Sequence, residues 1–241
     1  MPKNPKPVKV KPAILGLDQL PFLVDRYYSL QEHRIALSLQ MQALKKQERG
    51  TELLSKFHDE FLDFESEIEK HVTRTVKQHP IYPWLKSCKG IGPIIAASLI
   101  SQIDITKAEH ASSVWKYCGL AVDLETGKAE RREKGKKISW NPFLKKTCWK
   151  IGESFVKSKG KYRTIYDTSK KYYQEKFPKE VKDTKSKRVF YTKGHIHALS
   201  KRRAVKLFLA DFWVEWRKLE GLPVSVPFMH RGDANFKYPQ S

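Results

Sequence analysis

The chain has 241 residues, 40% hydrophobic and 12% aromatic, enough for one large domain with an extension. Its 47 Lys and Arg stand against 26 Asp and Glu, and the net charge of +21 points to a polyanionic partner. No apolar run reaches membrane-spanning length and the Lys/Pro-rich start lacks a signal-peptide core, so neither a membrane span nor export is expected. A cytoplasmic protein, nucleoid-associated or virus-encoded, is the expectation.

The charge is uneven along the chain. Residues 1–12 carry four Lys and no acid, residues 13–80 carry nine bases and eleven acids, and residues 81–241 carry 34 bases and 15 acids. The near-neutral stretch reads as a protein-contact element and the basic remainder as a polyanion-binding one.

Residues 1–19 are expected to form a disordered basic arm. Residues 20–80 read as a heptad helical hairpin, with helices from about Leu20 to Gln47 and from Glu52 to about Gln78. Tyr27, Arg34 and Met41 fall seven apart, followed by Leu30, Leu37 and Leu44; the second seam reads Leu54, Phe57, Phe61, Phe64, Ile68, Val72. Thr51 is placed to cap the second helix. Such a hairpin is either a core stripe or half of a homodimer.

Residues 81–158 hold the most informative run. Gly90-Ile91-Gly92-Pro93 sits between two short apolar helical patterns, which is the layout of a helix-hairpin-helix. Glycine permits positive φ and close backbone approach, and proline suits a first helical turn. The free N–H groups and the dipole at that helix start favour a phosphate. Lys89, Gly90, Ile91 and Gly92 are therefore candidate DNA contacts. Thr106 is expected to cap a further helix through Ala111–Tyr117 that stops at Gly119, and Asn141-Pro142 to open another over about 142–158. The polar stretch between them allows at most a short β-hairpin near 121–139. Eight Lys or Arg fall between Lys128 and Lys146, among which Lys128, Arg131, Arg132, Lys136 and Lys137 are candidate backbone contacts.

Residues 159–223 mix bases and aromatics. Tyr162, Tyr166, Tyr172, Tyr173 and Phe177 alternate with lysines, a pattern equally consistent with base stacking and with a core helix. Residues 178–189 read as a charged linker. A last helix from about His195 to Glu220 is basic at its start, with Lys201, Arg202 and Arg203 as candidate DNA contacts, and apolar afterwards at three-and-four spacing. Residues 224–241 read as an extended tail. The fold class is all-α. Cys88, Cys118 and Cys148 are odd in number and widely spaced, the pattern of free thiols in a reducing compartment, and His195 and His197 are not spaced as metal ligands on one face. No metal site is expected.

The segment Gly90–Ile100, then Val114–Leu120, Glu125-Thr126-Gly127 and Lys137-Ile138-Ser139, resembles the C-terminal half of insertion-sequence transposases of the 110/116/902 group. The resemblance implies a helix-hairpin-helix transposase domain after a coiled-coil connector, the latter corresponding to the heptad helices at 20–78. It also implies DNA transposition or recombination as the setting. In that family an N-terminal RNase H-like domain supplies four acidic residues, which residues 1–19 are too few to hold. The family's nucleophilic serine is replaced by Thr126, with Ser139 the nearest serine beyond it. Three expectations follow from residues and resemblance together. One is a binding module that grips duplex or branched DNA through the hairpin and basic loops. Another is a reduced recombinase using the Thr126 or Ser139 hydroxyl, with Mg²⁺ held jointly with a partner and no cofactor bound by this chain alone. The third is a protein that binds structured RNA.

Overall fold

The computed structural model describes residues 16–122, 132, 134–182 and 189–230. They are organised as eight α-helices and one two-stranded ladder, an all-α fold. The chain divides into two compact units, residues 1–79 and 80–241.

The first unit is a helical hairpin of α1 (Leu20–Lys45) and α2 (Glu52–Val76). Pro21 lies in the first turn of α1, where its missing N–H costs nothing. The turn is closed by Glu48 at φ +56°, with Arg49 N–H donating to the Leu44 carbonyl. Thr51 precedes α2 as expected, but its hydroxyl makes no capping bond.

The seam differs from its heptad reading. Phe57 and Phe64 are 44% and 54% exposed, off the inner face, while Leu54, Phe61, Glu65, Ile68, Val72 and Val76 turn inward at three-and-four spacing. Glu65 is buried because Arg34 reaches it from α1, Nε donating to Oε1 at 2.7 Å and a second guanidinium nitrogen to Oε2 at 3.3 Å. That hydrogen bond holds the Arg34 pKa above its ordinary value.

The second unit is built around α8 (Lys193–Leu219), which packs on α5 (Ala111–Tyr117), α6 (Pro142–Lys157) and α7 (Lys161–Lys176). α3 (Tyr82–Ser87) and α4 (Pro93–Gln102) complete it. Phe208 is fully buried among Trp84, Phe155, Tyr162 and Phe212, with ring centroids 5.3 to 6.2 Å away. Trp213 donates to the Ala108 carbonyl at 2.7 Å and Trp115 to the Lys206 carbonyl at 2.9 Å, so both indoles are buried without orphaned N–H groups. Buried Arg217 donates to the carbonyls of Pro223, Ile105 and Ala108, tying the end of α8 to the segment after α4.

Helix ends follow local chemistry. Asn141 caps α6 by accepting from Leu144 N–H at 3.2 Å, and Gly119 and Gly221 close α5 and α8 at φ +67° and +66°. Thr106 is not the cap of α5; it lies in a 3₁₀ turn at Ile105–Lys107, capped by Asp104, whose carboxylate accepts from the Thr106 N–H and hydroxyl. That turn occupies the residues before α5, so α5 starts only at Ala111.

β1 (Val181–Lys182) and β2 (Val189–Phe190) pair antiparallel, β1 within the stretch read as a linker and β2 at its end, while most of residues 121–133, where a short hairpin is expected, lies outside the described residues. The supposed tail begins with a 3₁₀ turn, Phe228–His230, that packs on α8. No helix among the described residues is long and apolar enough to cross a membrane.

Candidate nucleic-acid interface

The turn between α3 and α4 contains two glycines with different reasons to be glycine. Gly90 has φ +100°, and a Cβ there would meet Ser158 Oγ at 2.9 Å and Ser154 Oγ at 3.1 Å. Ser154 Oγ also donates to the Gly90 carbonyl at 2.6 Å. Gly90 is thus required by conformation and by close packing on α6. Gly92 has φ −85°, which any residue adopts, and a Cβ there would meet nothing within 4 Å.

Gly92 is exposed and holds the cap position of α4, with Pro93 behind it and no side-chain cap over it. The first-turn N–H groups of Ile94 and Ile95 therefore sit at an uncovered, positively polarised helix start. Lys89 is exposed beside it, its stem fixed against Gly160, where a Cβ would come within 2.9 Å of Lys89 Cβ. Ile91 is buried and acts as the anchor of the turn.

The turn is braced from behind by a polar cluster absent from the sequence reading. Asp211 of α8 accepts from Tyr162 OH at 2.8 Å, Lys161 Nζ at 2.7 Å and His230 Nε2 at 2.6 Å. Burial, then the Asp211 charge, pushes the Tyr162 phenol far up. Burial likewise pushes the Cys88 thiol up to about 11. Cys88 is accordingly a neutral packing residue, not a nucleophile. Asp211 is the single acid in the apolar run Ala204–Val214, which is the sequence signal for a buried partner.

The other basic candidates fall in separate places. Arg132, Lys136 and Lys137 are exposed in the segment leading to α6, with Ser139 exposed after them. Lys128, Arg131 and Thr126 lie outside the described residues. On α8, Arg203 is exposed and Arg202 half-buried, whereas Lys201 forms an ion pair with Glu153 of α6. That hydrogen bond lowers the Glu153 pKa.

α6 supports two of these places on different sides. Gly90 rests on Ser154 and Ser158, while Lys201 packs on Gly152 and lies near Trp149. At about 100° per residue, Trp149 and Ser158 point to opposite faces of the helix.

Of the aromatic candidates on α7, Tyr162 and Tyr166 are buried and Tyr172 is exposed; Phe177 stacks on Tyr191 with centroids 3.8 Å apart. The first half of the pattern is therefore core. The histidines serve local structure. His195 Nδ1 accepts from Tyr191 N–H at the start of α8, and His197 Nδ1 lies 2.7 Å from Tyr166 OH. Burial, helped by the Lys201 charge, lowers the His197 pKa.

Among the described residues no group of three His, Cys, Asp or Glu is close enough to hold a metal ion. Cys118 and Cys148, thirty residues apart, come within hydrogen-bonding reach, and that contact together with burial holds the Cys148 thiol protonated.

Residues 82–167, from the start of α3 into α7, match the family described as Transposase IS116/IS110/IS902. Over those residues the chain is similar to that transposase family. A transposition-related role follows from it. No curated protein and no solved structure matches the chain. The match ends within α7; α8 lies beyond it and packs against the matched residues, Phe208 on Trp84 and Asp211 on Tyr162.

Proposed function

We propose that this chain is a DNA-binding protein of transposition that grips the phosphate backbone through a helix-hairpin-helix at α3–α4. The observation that carries the reading is Gly92. Its glycine is demanded neither by φ nor by packing, yet it leaves the start of α4 bare next to exposed Lys89 in a region of strong positive charge. A backbone phosphate is an anion that matches uncovered N–H groups, a helix dipole and a lysine together.

The exposed Arg132, Lys136 and Lys137, and Arg203 on α8, offer separate cations for further phosphates, and Lys128 and Arg131 precede the first group in sequence. Such contacts fix the position of a duplex without reading its sequence. Two copies pair through the α1–α2 hairpin, supported by the exposed apolar side chains Leu39, Leu53, Phe57 and Phe64. A dimer of this kind brings two DNA segments together.

The test is the salt dependence of binding to a labelled duplex, with structured RNA as competitor. Binding should weaken steeply with salt, and Lys89→Ala should reduce the logarithmic slope by about one. An unchanged slope removes Lys89 from the interface, and preferential displacement by RNA overturns DNA as the partner.

A further inference from the structure

Trp149 projects from α6 with 62% of its surface exposed, away from the buried inner face of Leu144, Ile151 and Phe155. It is the sole exposed tryptophan of six. The ring borders a cleft of about 150 Å³ between α6 and α8, floored by Gly152 and Val205 and edged by Lys201 and Arg202. At Gly152 α6 and α8 come close, since a Cβ there would lie 3.4 Å from Lys201 Cβ and Val205 Cγ2.

The charge around the ring is positive. Lys201 Nζ lies 5.6 Å from the indole centroid, Arg202 lines the cleft, and exposed Lys146 stands one turn before Trp149. Lys201 is paired with Glu153, so that pair is close to neutral and Arg202 supplies the cation beside the ring.

We infer that Trp149, with Arg202 beside it, is a stacking site for one unpaired base of single-stranded DNA, separate from the duplex-gripping turn at Gly92. A flat, solvent-facing indole stacks on any base, and the adjoining cations attract the phosphates that flank it. The cleft is below the roughly 300–1,000 Å³ of sites that enclose drug-sized ligands, and it suits a single planar ring. Trp149 and the face of α6 that supports Gly90 point in opposite directions, so one bound duplex end and one unpaired strand occupy different sides of the helix. The choice of DNA as the polymer rests on the DNA-binding reading above; the geometry of the stacking site does not depend on the hairpin.

The experiment is titration of the full chain with a twelve-residue oligo-dT, read by tryptophan fluorescence and by anisotropy of a labelled strand, alongside a labelled duplex. The wild type should show quenching on binding oligo-dT. Trp149→Ala should lose that quenching and bind oligo-dT about tenfold more weakly, the order for one lost base–aromatic stack, with duplex affinity unchanged. Trp149→Phe should retain part of the affinity. Gly92→Asp should show the reverse, losing duplex and keeping the oligo-dT quench. Because Trp149 faces solvent, its replacement should leave the melting temperature in place, which circular dichroism checks. Equal oligo-dT affinity for wild type and Trp149→Ala overturns the inference, as does an equal loss for duplex and single strand. Quenching by an oligo-rU strand with none by oligo-dT overturns the choice of DNA.

Discussion

The hairpin of α1 and α2 and the unit that follows it solve the problem of stability in different ways. In the second unit, Phe155, Phe208, Phe212 and Trp213 are fully buried, Phe208 stacks on Phe212 and meets Phe155 edge to face, and even the charged end of α8 is locked by Arg217 on three carbonyls. In the hairpin the fully turned-in residues, Leu20, Val24, Glu65, Ile68, Val72 and Val76, lie toward the ends far from its turn, while Leu39, Leu53, Phe57 and Phe64 stay exposed. The comparison teaches that aromatic surface inside the second unit serves its own core, whereas the hairpin keeps apolar surface outside and fixes its register with one ion pair.

The largest effect should come from the core of the second unit. Phe208→Ala removes the ring that joins α3, α6, α7 and α8, and should cost about 3–5 kcal/mol in chemical denaturation. A loss below about 1 kcal/mol would mean that this core is not the one that holds the unit.

Next comes the hairpin's ion pair. Arg34→Leu leaves the Glu65 carboxylate buried alone and should cost roughly 3 kcal/mol, toward the low end for removing one partner of a buried pair. Replacing both residues with leucine should recover most of that stability, because apolar packing substitutes well for a buried pair. A double variant as unstable as the single one would show that the pair itself, not the stranded charge, carries the energy.

How far these differences were legible in the sequence follows from the range of the interactions. Helix ends set by a local cap or a left-handed glycine, such as Asn141-Pro142, Gly119 and Gly221, could be read directly. The all-α class and the domain at residues 82–167 were legible for the same reason, one from periodicity and one from a contiguous run. Arg34 with Glu65, Asp211 with His230, and Cys118 with Cys148 are each joined only by folding, across 31, 19 and 30 residues of sequence. The heptad reading of α2 fails at Phe57 and Phe64 because, at about 100° per residue, both lie roughly 60–80° to one side of the inner face on which Leu54, Glu65 and Val72 fall. Of the candidate interface, Gly90 and Gly92 were visible as a pair, but only the contacts made at each reveal that one is structural and the other is open.

Acid should act on the second unit through α6 and α8. His197 is held below its usual 6.5, so the unfolded chain takes up a proton first and stability falls as pH drops below that value. Glu153 is held below its usual 4.5; its contribution is present above that value and is lost as pH falls through the lowered folded value. The melting temperature should therefore decline from about pH 6.5 downward, with His197→Gln removing the upper part of the decline. A flat profile between pH 7 and 5 would contradict the His197 assignment, and no further decline below pH 4.5 would contradict that of Glu153.

The smallest effect on folding should come from the exposed face of the hairpin. Phe57→Glu should alter stability by under about 0.5 kcal/mol in the monomer, as a surface change does, while shifting light-scattering mass from dimer to monomer. A wild-type chain that is monomeric at all concentrations would remove the assembly part of the proposal and leave the DNA-binding part standing.

The most direct test of the central claim is duplex-DNA affinity of Gly92→Asp measured beside its melting temperature. Aspartate is among the best residues at a helix cap and meets no steric obstacle at position 92, so folding should be preserved or improved. Its carboxylate would also occupy the uncovered N–H groups and repel phosphate. The account predicts an equal or higher melting temperature with at least a tenfold loss of duplex binding. Undiminished binding by a folded Gly92→Asp variant would contradict it.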